Sequence, residues 1–389
     1  MKTFFALLTC IALIGGNVVC ATDIRGQVNV EHRQFFADGA QGQESEQTSV
    51  SIEPELFWQY QDGDASVTFK PFVRIDSLDE NRTHIDVREL LYFQLIGDYE
   101  LHAGIRKVYW GVTESQHLVD VINQTDTIES IDREEKLGQP MIQLSAIKEW
   151  GVLEGFLLPY FREQTYTGED GRFRSPLVVK DQATYQSSAE EYHVDVAARY
   201  SQSYDDWDIG LSVFNGTNRE PYFSQSGSQL VPHYAQMTQL GLDAQGIVGD
   251  WLLKLELIHR DSLDNHTAMT SGFEYTWVGP LDSFWDVGLI AEYLYDSRDQ
   301  QAPTPSQNDL FIGSRLAFND QSGTEVLFGI TQDLDDSQSR VGKLEASSRI
   351  NNAWKWRIDA WWFESENSSD PVYMYRKDDV VELALEYYF

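Results

Sequence analysis

The sequence predicts an all-β fold: a single transmembrane antiparallel up-and-down β-barrel of about 18 strands, with 16 as the alternative count. Three observations lead to this prediction. Apolar and polar residues alternate along many short segments, aromatic residues lie at the ends of those segments, and short connectors take turns with long polar ones. Together they favour a barrel whose outside faces hydrocarbon and whose inside faces water.

The alternation has the period of two residues that is typical of a β-strand. The segment near residue 255 places apolar residues on one face and charged ones on the other: Trp251, Leu253, Leu255 and Leu257 against Lys254, Glu256 and Arg260. Segments near 70, 290 and 357 repeat the pattern. A soluble β-sandwich would show the same period, so alternation alone leaves both all-β folds open.

Aromatic residues stand where the predicted strands end. They include Trp58, Tyr60, Trp207, Trp251, Trp277, Trp285 and Trp354. Rings at the two rims of an apolar band are typical of the aromatic girdles of membrane barrels. These seven residues are therefore predicted to form the girdle.

The connectors sort by length. Eighteen strand-like segments begin near residues 24, 47, 65, 84, 99, 139, 151, 191, 207, 234, 251, 268, 284, 308, 324, 340, 354 and 379. Short turns such as 61–64 and 97–98 alternate strictly with longer polar loops such as 110–138 and 163–190. Short periplasmic turns and long outer loops give this order in a membrane barrel, with both termini on the periplasmic side. The weakly patterned segments near 139 and 234 leave the count of 16 open.

Two charged residues conflict with the predicted lipid face. Glu89 and Lys107 fall on that face if each strand alternates without interruption, and a charge there is costly in mid-membrane. We therefore expect a β-bulge near Glu89 and a rim position for Lys107.

Residues 1–21 have the features of a secretory signal peptide. Lys2 provides a positive start, 4–14 an apolar run, and Val19-Cys20-Ala21 a cleavage site. Cleavage after Ala21 would remove both cysteines of the chain, Cys10 and Cys20. The barrel, predicted to span 22–389, would then be stabilised without disulfides.

The end of the chain places alternating apolar residues on one face of a last strand: Leu383, Leu385, Tyr387 and Phe389. This ending resembles the C-terminal assembly signal of Gram-negative outer-membrane barrels. The resemblance implies recognition by the barrel-assembly machinery.

The whole chain resembles a Gram-negative outer-membrane porin, and residues 104–111, followed by 120–123 and Asp126, resemble a segment of poorly characterised proteobacterial outer-membrane barrels. The resemblance implies an outer-membrane location and passive diffusion of small hydrophilic solutes or ions. It also implies contact with membrane lipid and lipopolysaccharide, no cofactor or metal, and often a homotrimer.

The connector 110–138 is expected to fold into the lumen as a constriction loop. It is long, yet it contains six aliphatic residues that a solvated loop would not need: Leu118, Val119, Val121, Ile122, Ile128 and Ile131. Its carboxylates, among them Asp120, Asp126, Glu129 and Asp132, would face an inward ladder of Arg74, Arg88 and Arg106. We hypothesise that this arrangement filters ions by charge. In the alternative, the arginines neutralise Asp76 and Asp86 as buried pairs.

Charge and motifs exclude several other classes of function. With 62 acidic and 29 basic residues the net charge of −33 would repel nucleic acid. The eight histidines form no recognisable hydrolase motif, so the chain is not expected to be an enzyme. An outer-membrane barrel enzyme, a structural or adhesive barrel without an open channel, and a soluble secreted β-sandwich remain the alternatives.

Overall fold

A computed structural model describes residues 22–389, and the predicted signal peptide lies outside them. Eighteen strands form one antiparallel sheet, and the first of them pairs with the last. The predicted closed up-and-down barrel of 18 strands is confirmed, and the two stacked sheets of a sandwich are absent from the described residues. No helix among these residues is long and apolar enough to span a bilayer.

The strands are numbered in chain order; β8, β9, β12 and β13 lie in loops and the other 18 form the barrel. They are β1 (Thr22–Phe35), β2 (Glu46–Tyr60), β3 (Ala65–Asp76), β4 (His84–Ile96), β5 (Tyr99–Arg106), β6 (Gln139–Lys148), β7 (Gly151–Leu158), β8 (Val178–Val179), β9 (Thr184–Tyr185), β10 (Asp195–Tyr204), β11 (Trp207–Thr217), β12 (Tyr222–Ser226), β13 (Gln229–Tyr234), β14 (Gln236–Val248), β15 (Trp251–Asp261), β16 (His266–Val278), β17 (Asp286–Asp296), β18 (Asn308–Ala317), β19 (Glu325–Asp333), β20 (Arg340–Arg349), β21 (Trp354–Glu364) and β22 (Val380–Tyr388).

The barrel closes where β1 pairs with both β2 and β22. Val30 lies opposite Val50 in one pair and opposite Leu385 in the other. Two main-chain hydrogen bonds of 3.0 Å join Gly26 to Phe389 and tie the last residue to β1. A closed sheet leaves no edge with unpaired N–H and C=O groups, which is what a sheet inside lipid requires.

Long outer loops and short periplasmic turns lie at opposite ends of the barrel. The turns include 97–98 and 149–150, and the two longest loops are 107–138 and 159–194. Within the outer loops, β13 pairs antiparallel with β12 and parallel with β8 and β9. This small sheet is separate from the barrel sheet.

The outward side chains form an apolar belt. Its exposed residues alternate with lumen-facing ones and include Val50, Leu153, Leu211, Leu289, Leu383 and Leu385. The seven aromatic residues predicted for the girdle all lie beside short turns, at the periplasmic end of their strands. They therefore mark one rim of the belt, whereas the sequence analysis assigned such rings to two rims.

A β-bulge in β4 removes the conflict at Glu89. Lys70 of β3 pairs with Glu89, but the next residue, Pro71, pairs with Val87, so Arg88 is left without a partner. The extra residue turns Glu89 toward the lumen, where its carboxylate lies 3.6 Å from the Lys70 ammonium. Lys107 directly follows the end of β5 and pairs with Glu135 at 2.8 Å.

The assignment of faces can be tested in the middle of β15, where Leu255 points outward and Lys254 points inward toward Glu274. We expect Leu255→Arg to lower the free energy of unfolding by about 2–4 kcal/mol, because the charge would lie in lipid. Lys254→Arg, which keeps its charge in the lumen, is the matched control and should have little effect. Denaturant titration in lipid vesicles measures both, and equal effects would contradict the assignment.

Candidate functional site

The loop 107–138 lies inside the barrel. Its residues Val119, Val121 and Ile122 are buried against inward side chains from strands on one side of the lumen: Met141, Phe156, Phe214, Met237 and Ile258. Other residues of the same loop contact β3 and β4 and Arg82 of the outer loop 77–83. One loop can reach both sets of strands only through the lumen.

Two buried carboxylates of the inner wall hold the tip of this loop. Glu256 of β15 accepts hydrogen bonds from the main-chain N–H groups of Val112 (2.7 Å), Thr113 (3.0 Å) and Val119 (3.1 Å). Glu292 of β17 accepts hydrogen bonds from the N–H groups of Glu114 and Ser115, both 2.8 Å. Hydrogen bonds to a charged acceptor are shorter and stronger than neutral ones. The tip is therefore fixed to β15 and β17.

The loop crosses the full width of the lumen. Beyond its anchors, the Glu114 carboxylate pairs with the Arg315 guanidinium of β18 at 2.8 Å. The loop starts at β5, and β18 is the ninth strand from β5 around the ring of 18. The tip therefore meets the wall directly opposite its origin.

Two of the three predicted lumen arginines pair with the loop. Arg74 of β3 lies 2.6 Å from Glu31 and 2.8 Å from Glu129. Arg88 of β4 lies 2.5 Å from Asp126 and 3.2 Å from Asp86. These contacts are buried and direct, so the groups lie in ion pairs and do not face one another across an open gap.

The other predicted constriction residues have separate partners. Arg106 donates a hydrogen bond to Gln143 (2.5 Å) and has no loop carboxylate within ion-pair distance. Asp120 accepts hydrogen bonds from the N–H groups of Trp110 (2.6 Å) and Gly111 (3.1 Å), which folds the loop onto itself. Asp132 accepts hydrogen bonds from the Ser130 hydroxyl and the Glu134 N–H. The structure therefore does not bring all seven predicted residues together.

The sequence analysis missed Arg82, which belongs to the outer loop 77–83 and is fully buried. Its guanidinium contacts Glu31 at 2.7 Å and Asp76 at 2.8 Å and donates a hydrogen bond to the Ile128 carbonyl oxygen at 2.9 Å. Strand periodicity carries no signal for a loop arginine that turns inward. Arg82 and Arg74 together enclose the Glu31 carboxylate.

A second loop, 159–194, covers the same half of the lumen. The buried Arg172 pairs with Asp378 at 2.8 Å and donates hydrogen bonds to the carbonyl oxygens of Ala37 (3.1 Å) and Glu44 (3.0 Å). Thr165 donates a hydrogen bond of 2.8 Å to Asp126 of the first loop. The second loop is thus joined to the first and to the outer loops 36–45 and 365–379.

On the opposite side, charged side chains of the loop and of the inner faces of β18, β20 and β21 stay partly exposed. We call this region the open strip. Four charged side chains in it keep a third to a half of their surface exposed: Glu134 (47%), Arg315 (37%), Glu345 (35%) and Arg357 (35%). Charged groups this exposed inside a closed barrel indicate a water-filled lumen.

His117 at the loop tip is held between two carboxylates. Its Nε2 lies 3.1 Å from Glu134 and its Nδ1 3.7 Å from Glu256. Burial by itself would lower the pKa of His117, but the hydrogen bond to Glu134 and the two negative charges raise that pKa to about 10. A protonated imidazole therefore links the loop tip to β15 at neutral pH.

No family model matches the sequence, and no curated protein matches it. Several solved porin structures share its fold. A BenF-like porin from Pseudomonas fluorescens Pf-5 is 11% identical, with a TM-score of 0.54 and coverage of 95% of this chain and 98% of the porin. Pseudomonas aeruginosa OpdQ (12% identical) and OccK8, also named OprE (10% identical), each have a TM-score of 0.53 and the same coverage. The porin-like barrel predicted from the sequence is confirmed as a fold.

The anchoring role of Glu256 predicts the mobility of the loop tip. Glu256→Ala leaves several main-chain N–H groups without their acceptor. Each lost charge-assisted hydrogen bond lowers the stability of the tip's attachment by about 1.5–3 kcal/mol. We expect hydrogen exchange at Val112, Thr113 and Val119 to become at least about tenfold faster. Glu274→Gln, an inward carboxylate on β16, is the matched control, and equal protection in both variants would contradict the role of Glu256.

The raised pKa of His117 predicts a loosening of the tip at high pH. Its stabilising contribution is fully present below the unfolded pKa of 6.5 and is lost as pH rises through the folded value of about 10. Hydrogen exchange at residues 112–119, corrected for the intrinsic pH dependence, should therefore accelerate between these values. His117→Gln should remove the acceleration; an unchanged pH profile in that variant would exclude His117 as its source.

Proposed function

We propose that the chain is an outer-membrane channel through which small hydrophilic solutes or ions diffuse passively along the open strip. The observation that carries this proposal is the set of exposed charged side chains inside a closed wall, notably Glu134, Arg315, Glu345 and Arg357. A barrel of this width is too large for wall side chains alone to fill. The loop tip narrows it and leaves a charged passage.

The predicted constriction residues divide between two roles in this proposal. Arg74 and Arg88 hold the loop through Glu129 and Asp126, and Asp120 folds the loop. Arg106 and Asp132 supply charge to the lumen. The arginine ladder of the sequence analysis thereby becomes chiefly a support for the constriction, in line with the alternative of buried pairs.

The remaining partners follow from the outer surface. The apolar belt would contact membrane lipid, and the polar outer loops would contact lipopolysaccharide. Four exposed outward residues at the end of β22 are available to the barrel-assembly machinery: Leu383, Leu385, Tyr387 and Phe389. We propose these contacts together with the homotrimer that the porin resemblance implies.

The route of the solute can be tested with single cysteines, because 22–389 contains none. Glu345 of β20 faces the open strip, and its neighbour Leu344 faces outward. In planar bilayers, a bulky water-soluble thiol reagent should reduce the current through Glu345→Cys and leave Leu344→Cys unchanged. Undiminished current after confirmed labelling at position 345 would place the route elsewhere. Absence of any conductance from folded protein would refute the channel.

A further inference from the structure

We propose that the open strip selects small cations, both inorganic cations and protonated amines, over anions. This inference names the solute class of the channel and therefore rests on the proposed function.

Three arginines that hold the loop 107–138 from the side opposite the open strip present no positive charge to the passage. Arg74, Arg82 and Arg88 have side chains no more than 5% exposed. Five carboxylates lie within ion-pair distance of these three arginines: Glu31, Asp76, Asp86, Asp126 and Glu129. Because the carboxylates outnumber these three arginines and both are buried, none of the three offers a binding site to an anion.

The basic groups of the open strip are mostly compensated in place. Arg315 lies 2.8 Å from Glu114, and Lys343 lies 3.0 Å from Glu345. His117 lies 3.1 Å from Glu134. Arg357 contacts several carboxylates, at 2.7 Å from Asp359, 3.1 Å from Glu382 and 3.6 Å from Glu386. A solute anion would have to displace an existing carboxylate from each of these four groups.

Carboxylates exceed basic groups around the loop tip. Seven carboxylates surround this part of the strip: Glu114, Asp132, Glu134, Glu256, Glu292, Glu345 and Asp359. Five basic groups accompany them: His117, Arg133, Arg315, Lys343 and Arg357. Glu292 is compensated by hydrogen bonds from main-chain N–H groups and a hydroxyl, not by a cation. Since Glu382 and Glu386 also lie beside Arg357, the constriction carries a surplus of at least two negative charges.

A surplus of this size favours cations at the narrowest section. A ring of acidic side chains lowers the energy of a passing cation and raises that of an anion. The effect is strongest within a Debye length, about 8 Å at physiological salt, so the charges at the loop tip outweigh those on distant outer loops. Small amines fit the same requirement because an ammonium group donates hydrogen bonds to carboxylates.

The test is the reversal potential of the folded chain in planar bilayers under a gradient of KCl, and then of methylammonium chloride, at low ionic strength. We expect cation selectivity in both salts. Glu134→Gln and Glu345→Gln should each lower the cation-to-anion permeability ratio by about sevenfold, because one charge at about 7 Å in water changes the occupancy of a cation and of an anion by about threefold in opposite directions. Glu44→Gln, an exposed residue of the outer loop 36–45, is the matched control and should leave the ratio unchanged.

The outcomes separate the two proposals. Anion selectivity of the unmodified protein, or a ratio that neither lumen variant changes, would overturn the inference while the channel stands. A folded barrel that conducts no ions would overturn the channel and the inference with it. The result on the unmodified protein does not depend on whether any variant folds.

Discussion

Two carboxylates buried in the inner wall, Glu256 and Glu292, determine how the lumen is divided. A loop that crosses a closed barrel carries main-chain N–H groups away from bulk water, and each of these needs an acceptor. The two side chains accept hydrogen bonds from both the main chain and hydroxyls of the tip. Withdrawal of the tip would break these hydrogen bonds to charged acceptors, whose net contribution of about 1.5–3 kcal/mol each exceeds that of neutral hydrogen bonds. The position of the passage follows from this attachment.

The filled and open halves of the lumen differ in the side chains that the wall presents. Between β6 and β15 the inner face includes Met141, Phe156 and Ile258, which pack against the aliphatic part of the loop. On β3 and β4, Arg74 and Arg88 bind the rest of the loop through Glu129 and Asp126. Along β18 to β21 the inner face stays charged and exposed. The passage is therefore lined by charged wall residues on one side and bounded by the packed loop on the other.

Alternation along a strand is local, and for that reason the sequence predicted the barrel well. The segments expected at 65, 99, 151 and 251 begin where β3, β5, β7 and β15 begin. Pairing within the lumen is not local, because Arg74 and Glu129 are 55 residues apart. The sequence analysis therefore identified the loop and its charges, but not that Arg106 would pair with Gln143 or that Arg82 would turn inward.

The bulge at Arg88 shows how lipid and lumen constrain the same strand. Strict alternation would put Asp86 and Arg88 in the lumen and Glu89 in lipid, where a carboxylate is unfavourable. One unpaired residue shifts the phase, so Asp86 and Glu89 both face inward while Val87 and Leu90 face outward. Arg88, released from the register, reaches Asp126 of the loop. The irregularity that keeps charge out of lipid thereby also supplies a support for the constriction.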